Sequence, residues 1–442
     1  MKNLTLAALA LCLSLSSSAQ DKVELLQKHT FPINSICIED TSDADLQALA
    51  RSIGESRIVM LGEMDQSDGE TIRAKARIVR FLHQKLGFSV LAFQSDFYGT
   101  NLLWDTHRHG DSAMLAVSGA FTETDEFHDM QQYISKHSRG ANQLEITGFD
   151  SRATYQPATQ NFLAKAPALF NSLGYNAKDP SFQHYLNTLL RANDPSQVQT
   201  MDDTTFTYLK QVTKRILEDI KKKPAADRTG FWAQSLRNFL GQAYWCWQNR
   251  GADGKTDNAI HDKQMASNLL WLAEQKYAGR KIIVWANNQH ISKNNEDLEV
   301  LQGTARKTQA TTMGNELARI FDNELFTIGF TSLDGTTGTT YQPVNEPIDI
   351  RSTGRNDWYT NNLKTSGYNY AFTDFRTISS HEDLDASFVM RAWSYQYEMK
   401  GDWFKVFDGM FYIKTNKPAT ICEQVALRQD NIDKKQEVVA SR

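Results

Sequence analysis

Between Ile58 and Asp96 the chain reads IVMLGEMDQSDGETIRAKARIVRFLHQKLGFSVLAFQSD. A short apolar run, Ile58 to Leu61, is followed by a loop crowded with carboxylates. Ile72, Ala76, Val79, Leu82 and Leu86 then recur at helical spacing before Phe88 to Phe93 turns apolar again. This is the pattern of a βαβ unit, and few folds accommodate it. A parallel strand pair joined by a helix is buried on both faces, so its polar groups gather at the strands' carboxyl ends, where open α/β sheets place their ligands. Glu63 ends the first strand; Gln94 and Asp96 end the second.

The rest of the chain extends one sheet. A helix is expected at Asp43 to Ser52, another near Glu126 to Ser138, and a strand at Leu144 to Phe149 that ends in Asp150. From Pro157 to Tyr277 apolar residues fall three and four apart, which predicts an all-helical insertion covering the sheet and roofing the site. Strand signals return at Lys281 to Ala286 and are followed by the polar run Asn287, Asn288, Gln289, His290. Glu324 to Thr331 and Thr337 to Tyr341 read as a hairpin across SLDG, and Phe404 to Lys414 as a final strand with Asp408 inside it. The fold class is therefore α/β: a mostly parallel sheet with flanking helices, a large helical insertion and a β-rich C-terminal part.

Met1 to Ala19 has one basic residue, an apolar run from Leu4 to Leu15, and small Ser17 and Ala19 before Gln20. That is the layout of a secretory signal, and it predicts an exported protein, periplasmic or extracellular. Residues 20–424 then form a single domain and 425–442 a polar tail. No later segment has the roughly 18 consecutive apolar residues that span a bilayer. Three cysteines follow the leader, Cys37, Cys246 and Cys422, so at least one thiol is free and disulfides do not hold the fold. A net charge of −4 gives no long-range field for nucleic acid or an anionic membrane. A small-molecule, glycan or peptide ligand is the expected partner.

The catalytic motifs that are absent narrow the chemistry. There is no GxSxG elbow, HExxH, CxxC pair or Walker loop. Glu63, Asp65, Asp68 and Glu70 lack the spacing of a calcium loop, so no metal is assigned to them. His290 follows a buried strand and is flanked by amides, where a general base sits; a hydrogen-bonded structural histidine is the plain alternative.

Seven stretches in order, LGEMDQSDGE, LGFSVLAFQSD, ITGFD, HDKQMASNLLWL, VWANNQH, TMGNEL and FDGMFYI, resemble the erythromycin esterase family from about Asp43 to Lys414. The resemblance implies a hydrolase without metal or other cofactor, in which a histidine activates water to open a macrolactone ester. The family's pattern is GExxHG at the first strand end, a basic residue in the following helix, a glutamate ending the second strand, and WAHNxH at the later strand. Carried onto this chain, Glu63 is kept, the basic residue becomes Lys75, and the last histidine is His290. Gln66, Gln94 and Asn287 stand where the family has histidine, glutamate and histidine.

Each of those three changes puts an amide where a proton acceptor stood. A carboxamide holds water but does not deprotonate it. Two functions follow. In one, the expected function, the chain is a pseudo-hydrolase whose cleft binds a polar ligand through Gln66, Gln94, Asn287 and His290 without turning it over. In the other, His290 is the base, Glu63 or Asp65 orients it, Lys75 or Arg73 faces a developing oxyanion, and Asp96 contacts substrate. Geometry separates them: His290 within hydrogen-bond reach of a carboxylate and facing open space favours the enzyme, whereas His290 capped by backbone on both nitrogens does not.

Overall fold

The structure, a computed structural model, describes residues 21–223, 227–251, 258–301, 306–307, 311–338, 348–381 and 386–422. The expected leader and polar tail lie outside these residues.

Eight strands form the long path of the main sheet: β1 (Thr30–Ile33), β2 (Ile58–Leu61), β3 (Phe88–Asp96), β4 (Glu145–Asp150), β5 (Lys281–Trp285), β6 (Leu325–Thr337), β7 (Tyr370–Asp374) and β8 (Gly409–Asn416). Their spatial order is β1-β7-β8-β6-β2-β5-β3-β4. From β8 through β4 every neighbouring pair is parallel, and β7 runs antiparallel to both its neighbours. Ile348–Asp349 adds a short antiparallel partner to the end of β6. The strands β2 to β5 are buried almost throughout, as a sheet covered on both faces requires. A second sheet of four short strands, including Ser387–Met390 and Met399–Asp402, makes the C-terminal part β-rich.

The organising unit folds as strand, helix (Gly69–Leu86) and strand. Its two strands are not neighbours, however, because β5 is inserted between them. That insertion brings the loop after Trp285 beside the loops after Leu61 and Phe93. Ala286 N donates to Leu61 O, and Asn288 N donates to Glu63 O at 2.8 Å. Gly62 permits this approach, since a Cβ there would lie 1.9 Å from Asn288 Oδ1.

The expected hairpin across SLDG is instead one strand of 13 residues. Gly335 is used for contact and not for turning: a Cβ on it would lie 2.0 Å from Asn416 O, where β6 and β8 continue in parallel register. Residues 339–347, which include the end of that expected hairpin, lie outside the described residues. The last strand begins at Gly409, after the short helix Trp403–Val406. Asp408 ends that connection, and its carboxylate accepts from Thr327 N, Arg376 Nε and Lys293 Nζ.

Every regular element described within 157–277 is helical. Gln156–Ser172, Pro180–Ala192, Asp203–Lys221 and Asp227–Gln248 gather around an aromatic cluster of their own, including Phe162, Phe170, Tyr185 and Phe239. The next helix, Ala259–Trp271, packs on the sheet instead, through Met265, Ala266 and Leu269. Asn268 Nδ2 donates to Phe149 O at 2.9 Å and so fixes this helix along β4. Among the described residues no helix is long and apolar enough to cross a membrane. The three described cysteines are free, and burial pushes the Cys246 thiol up to about 11, which leaves it an inert core group.

Candidate active site

The carboxyl ends of β2, β3 and β4 meet at a cleft of about 400 Å³, and the loop after β5 touches its lining where Asn287 N donates to Gln94 Oε1. Gln66, Gln94, Asp96, Asp150 and Arg152 line it, and a segment around Leu115 to Gly119 forms the facing wall.

His290 is carried by the short helix Asn288–Ile291, which Asn287 caps: Asn287 Oδ1 accepts from Gln289 N at 2.9 Å. Its Nδ1 lies 2.8 Å from Asp262 Oδ1, and its side chain is 12 % exposed. Asp262, in the first turn of Ala259–Trp271, is itself held by Met313 N at 2.9 Å. Burial would lower the His290 pKa, but the neighbouring Asp262 carboxylate outweighs it and raises the pKa above the usual imidazole value.

A second carboxylate–imidazole pair stands beside the first. His261 Nε2 is 2.8 Å from Asp150 Oδ1, and the rings of His261 and His290 meet edge-on with centroids 5.9 Å apart. Asp150 also takes a forked contact from Arg152, whose Nη2 is 2.6 Å from Oδ2. Burial alone would raise the Asp150 pKa; His261 and Arg152 hold it well below the usual carboxylate range. The Arg152 side chain stays half exposed at the cleft.

Glu63 and Lys75 form a pair of their own beneath the loop, Nζ to Oε2 at 2.6 Å, with both side chains almost fully buried. The Lys75 ammonium also lies 4.2 Å from the Trp285 ring centroid. Burial raises the Glu63 pKa against the pull of Lys75, and lowers Lys75 to about 8 against the pull of Glu63.

A sequence model of the family described as erythromycin esterase matches residues 83–415, three quarters of the chain. The chain belongs to the erythromycin esterase family. It is 26 % identical over 379 residues to the putative hydrolase YbfO of Bacillus subtilis, covering 78 % of this chain and 82 % of that protein. It is 22 % identical over 413 residues to an erythromycin esterase type II of Escherichia coli, covering 86 % of this chain and 95 % of the relative. Among solved structures, a succinoglycan biosynthesis protein shares the fold with a TM-score of 0.68 at 18 % identity, over 92 % of this chain and 99 % of the other. An erythromycin esterase mutant in an open conformation gives 0.65 at 15 % identity, over 88 % and 98 %.

In this member of the erythromycin esterase family the expected site residues divide into two groups. Gln66, Gln94, Asp96, Asn287 and His290 lie at the adjoining strand ends; Gln94 Oε1 accepts from Asn287 N at 3.2 Å, and Asn287 Nδ2 donates to Met64 O. Asp96 faces the cleft as a cap, accepting from Gly99 N and Tyr155 N, and burial raises it to about 7. Glu63 does not orient His290, because its carboxylate is committed to Lys75 while Asp262 holds Nδ1. Lys75, sealed on Glu63, is not the cation of the cleft. Asp65 does not orient His290 either; it closes its own turn by accepting from Ser67 N and Oγ. Arg73 lies half exposed on the outside, 3.9 Å from Glu126. The cation in the cleft is Arg152.

Asp262, His261, Asp150 and Arg152 were missed as site residues. His261, Asp262 and Asp150 stand in the HDKQ and ITGFD stretches and Arg152 two residues beyond, but nothing in the sequence pairs a residue at 262 with one at 290.

Proposed function

We propose that this chain is a hydrolase of carboxylic ester or lactone bonds in which His290 is the general base and Asp262 the residue that orients it. The 2.8 Å contact between His290 Nδ1 and Asp262 Oδ1 carries this reading. A carboxylate only accepts hydrogen bonds, so Nδ1 of the neutral ring holds the proton and Nε2 is the basic end. Nε2 takes a proton from water, and the hydroxide adds to the ester carbonyl. The resulting oxyanion faces Arg152, the cleft's half-exposed guanidinium. Collapse breaks the bond to the alcohol oxygen, which leaves with the proton held by the imidazolium, so acid and alcohol are formed and His290 is restored.

Turnover of activated esters and macrolactones by the purified chain, beside His290→Ala, tests the proposal. Hydrolysis that is lost in His290→Ala supports it. A second reading, ligand binding without turnover, is favoured by Gln94 and Asn287, two amides in place of acid–base groups, each held by its own hydrogen bonds at the strand ends. No hydrolysis by the wild type, with ligand binding that survives His290→Ala, would establish that reading instead.

A further inference from the structure

The cleft's hydrogen-bonding groups have spare capacity of one particular kind. Among the described residues Gln66, Gln94 and Thr154 line the cleft, and the Gln66 carboxamide, Gln94 Nε2 and the Thr154 hydroxyl have no protein hydrogen-bond partner. Carboxamides and hydroxyls both donate and accept, which matches ligand hydroxyls, themselves donors and acceptors. A ligand that is an anion before reaction calls for net positive charge, whereas here Arg152 is paired with Asp150 and Asp96 also lines the cleft, which leaves one guanidinium to meet a charge that develops during reaction. A large apolar ring calls for apolar walls; on this cleft they are confined to the strip Leu115 to Val117, where Leu115 is 65 % exposed.

Resting on the hydrolase reading above, we infer that the ester taken by this cleft is an O-acylated sugar. Its hydroxyls are bonded by Gln66, Gln94 and Thr154, and its short acyl group lies against the Leu115 strip. The cavity of about 400 Å³ is of the size that encloses a small ligand. A site built to hydrogen-bond hydroxyls rejects analogues that lack them, because its polar groups are then left unpaired.

The test is acetate release from methyl glucoside carrying one O-acetyl group, compared with ethyl acetate, and lactone opening of a macrolactone, by the full chain and by Gln66→Leu and Thr154→Val. The inference expects kcat/KM for the sugar ester to exceed that for ethyl acetate and for the macrolactone by at least about tenfold. It expects each variant to lose more on the sugar ester than on ethyl acetate, mainly through KM. Equal rates on sugar ester and ethyl acetate, a preference for the macrolactone, or losses that are equal across substrates would overturn it while the hydrolase reading stands. If no ester is turned over, the hydrolase reading fails, and calorimetry with the same acetylated glucoside decides the recognition alone: binding weakened by Thr154→Val supports it, and no binding overturns it.

Discussion

Asp262 Oδ1 and His290 Nδ1 meet at 2.8 Å across 28 residues of sequence, one in the first turn of a helix on the sheet and the other just past β5. The helix is fixed along β4 by Asn268, so the contact is set by tertiary packing at both ends.

Asp262→Asn therefore removes the group that fixes the His290 ring and raises its pKa. On the general-base reading, the wild-type rate climbs as pH rises through that raised pKa, because only the neutral ring accepts a proton. The variant should lose about 10²- to 10⁴-fold in kcat. Its remaining activity should climb at lower pH than the wild type's, since the carboxylate that held the proton is gone. A pH–rate profile of the two proteins checks both outcomes.

Lys75 and Glu63 make a buried pair whose halves depend on one another. Lys75→Met leaves a carboxylate sealed without its counter-charge and should cost about 3 to 5 kcal/mol of stability. The double variant Glu63→Gln, Lys75→Met should recover most of that loss, because no lone charge remains. Urea unfolding of the wild type, both single variants and the double variant measures the coupling.

Asp68 is buried, accepting from Tyr395 Oη at 2.9 Å and Asn416 Nδ2 at 2.7 Å, and burial with Asp65 nearby pushes its pKa up to about 8. A carboxyl whose folded pKa lies above its unfolded value stabilises fully below the unfolded pKa, near 4, and loses that contribution as pH rises toward 8. Asp68→Asn, which stays neutral, should narrow the difference between urea midpoints at pH 5 and pH 8.

Lys417 to Cys422 ties the Gln66 loop to the segment that follows the facing wall of the cleft. Gly69 N donates to Lys417 O and Ala419 N to Ser67 O beside the Gln66 loop, while Asp125 N donates to Thr420 O and Cys422 N to Glu123 O on the other side. Ending the chain after Asn416 removes these ties and leaves β8 intact. Melting temperature should fall by a few degrees, about 1 kcal/mol for a protein of this size. Ligand affinity or kcat/KM should fall about tenfold or more, because the Gln66 loop and the segment that follows the facing wall are no longer joined. Equal affinity in the truncated chain would show that the strap has no bearing on the cleft.

Much of the fold was written in local pattern. The repeat from Ile72 to Leu86 is a helix, the apolar runs before Glu63 and Asn287 are buried strands, and the long helical stretch is helical. Periodicity records which face of an element is buried, and those faces are buried here. Gly335 shows where this fails. A glycine beside an aspartate reads as a turn, yet it serves the close passage of two parallel strands, a demand imposed by β8 some 80 residues later.

The sequence by itself determined the parallel α/β sheet, the family, and the placing of Glu63, Gln94 and His290 at strand ends, because strand and helix signals are local and strand ends collect polar loops. Only the tertiary structure decided who partners whom. It inserted β5 between β2 and β3, sealed Lys75 on Glu63, set Asp262 against His290, and put Arg152 in the cleft in place of Lys75 and Arg73. The physical reason is that a charged side chain's partner depends on how elements pack. That is fixed by the whole buried surface and by ties such as Asn268 to Phe149, and spacing along the chain does not carry it.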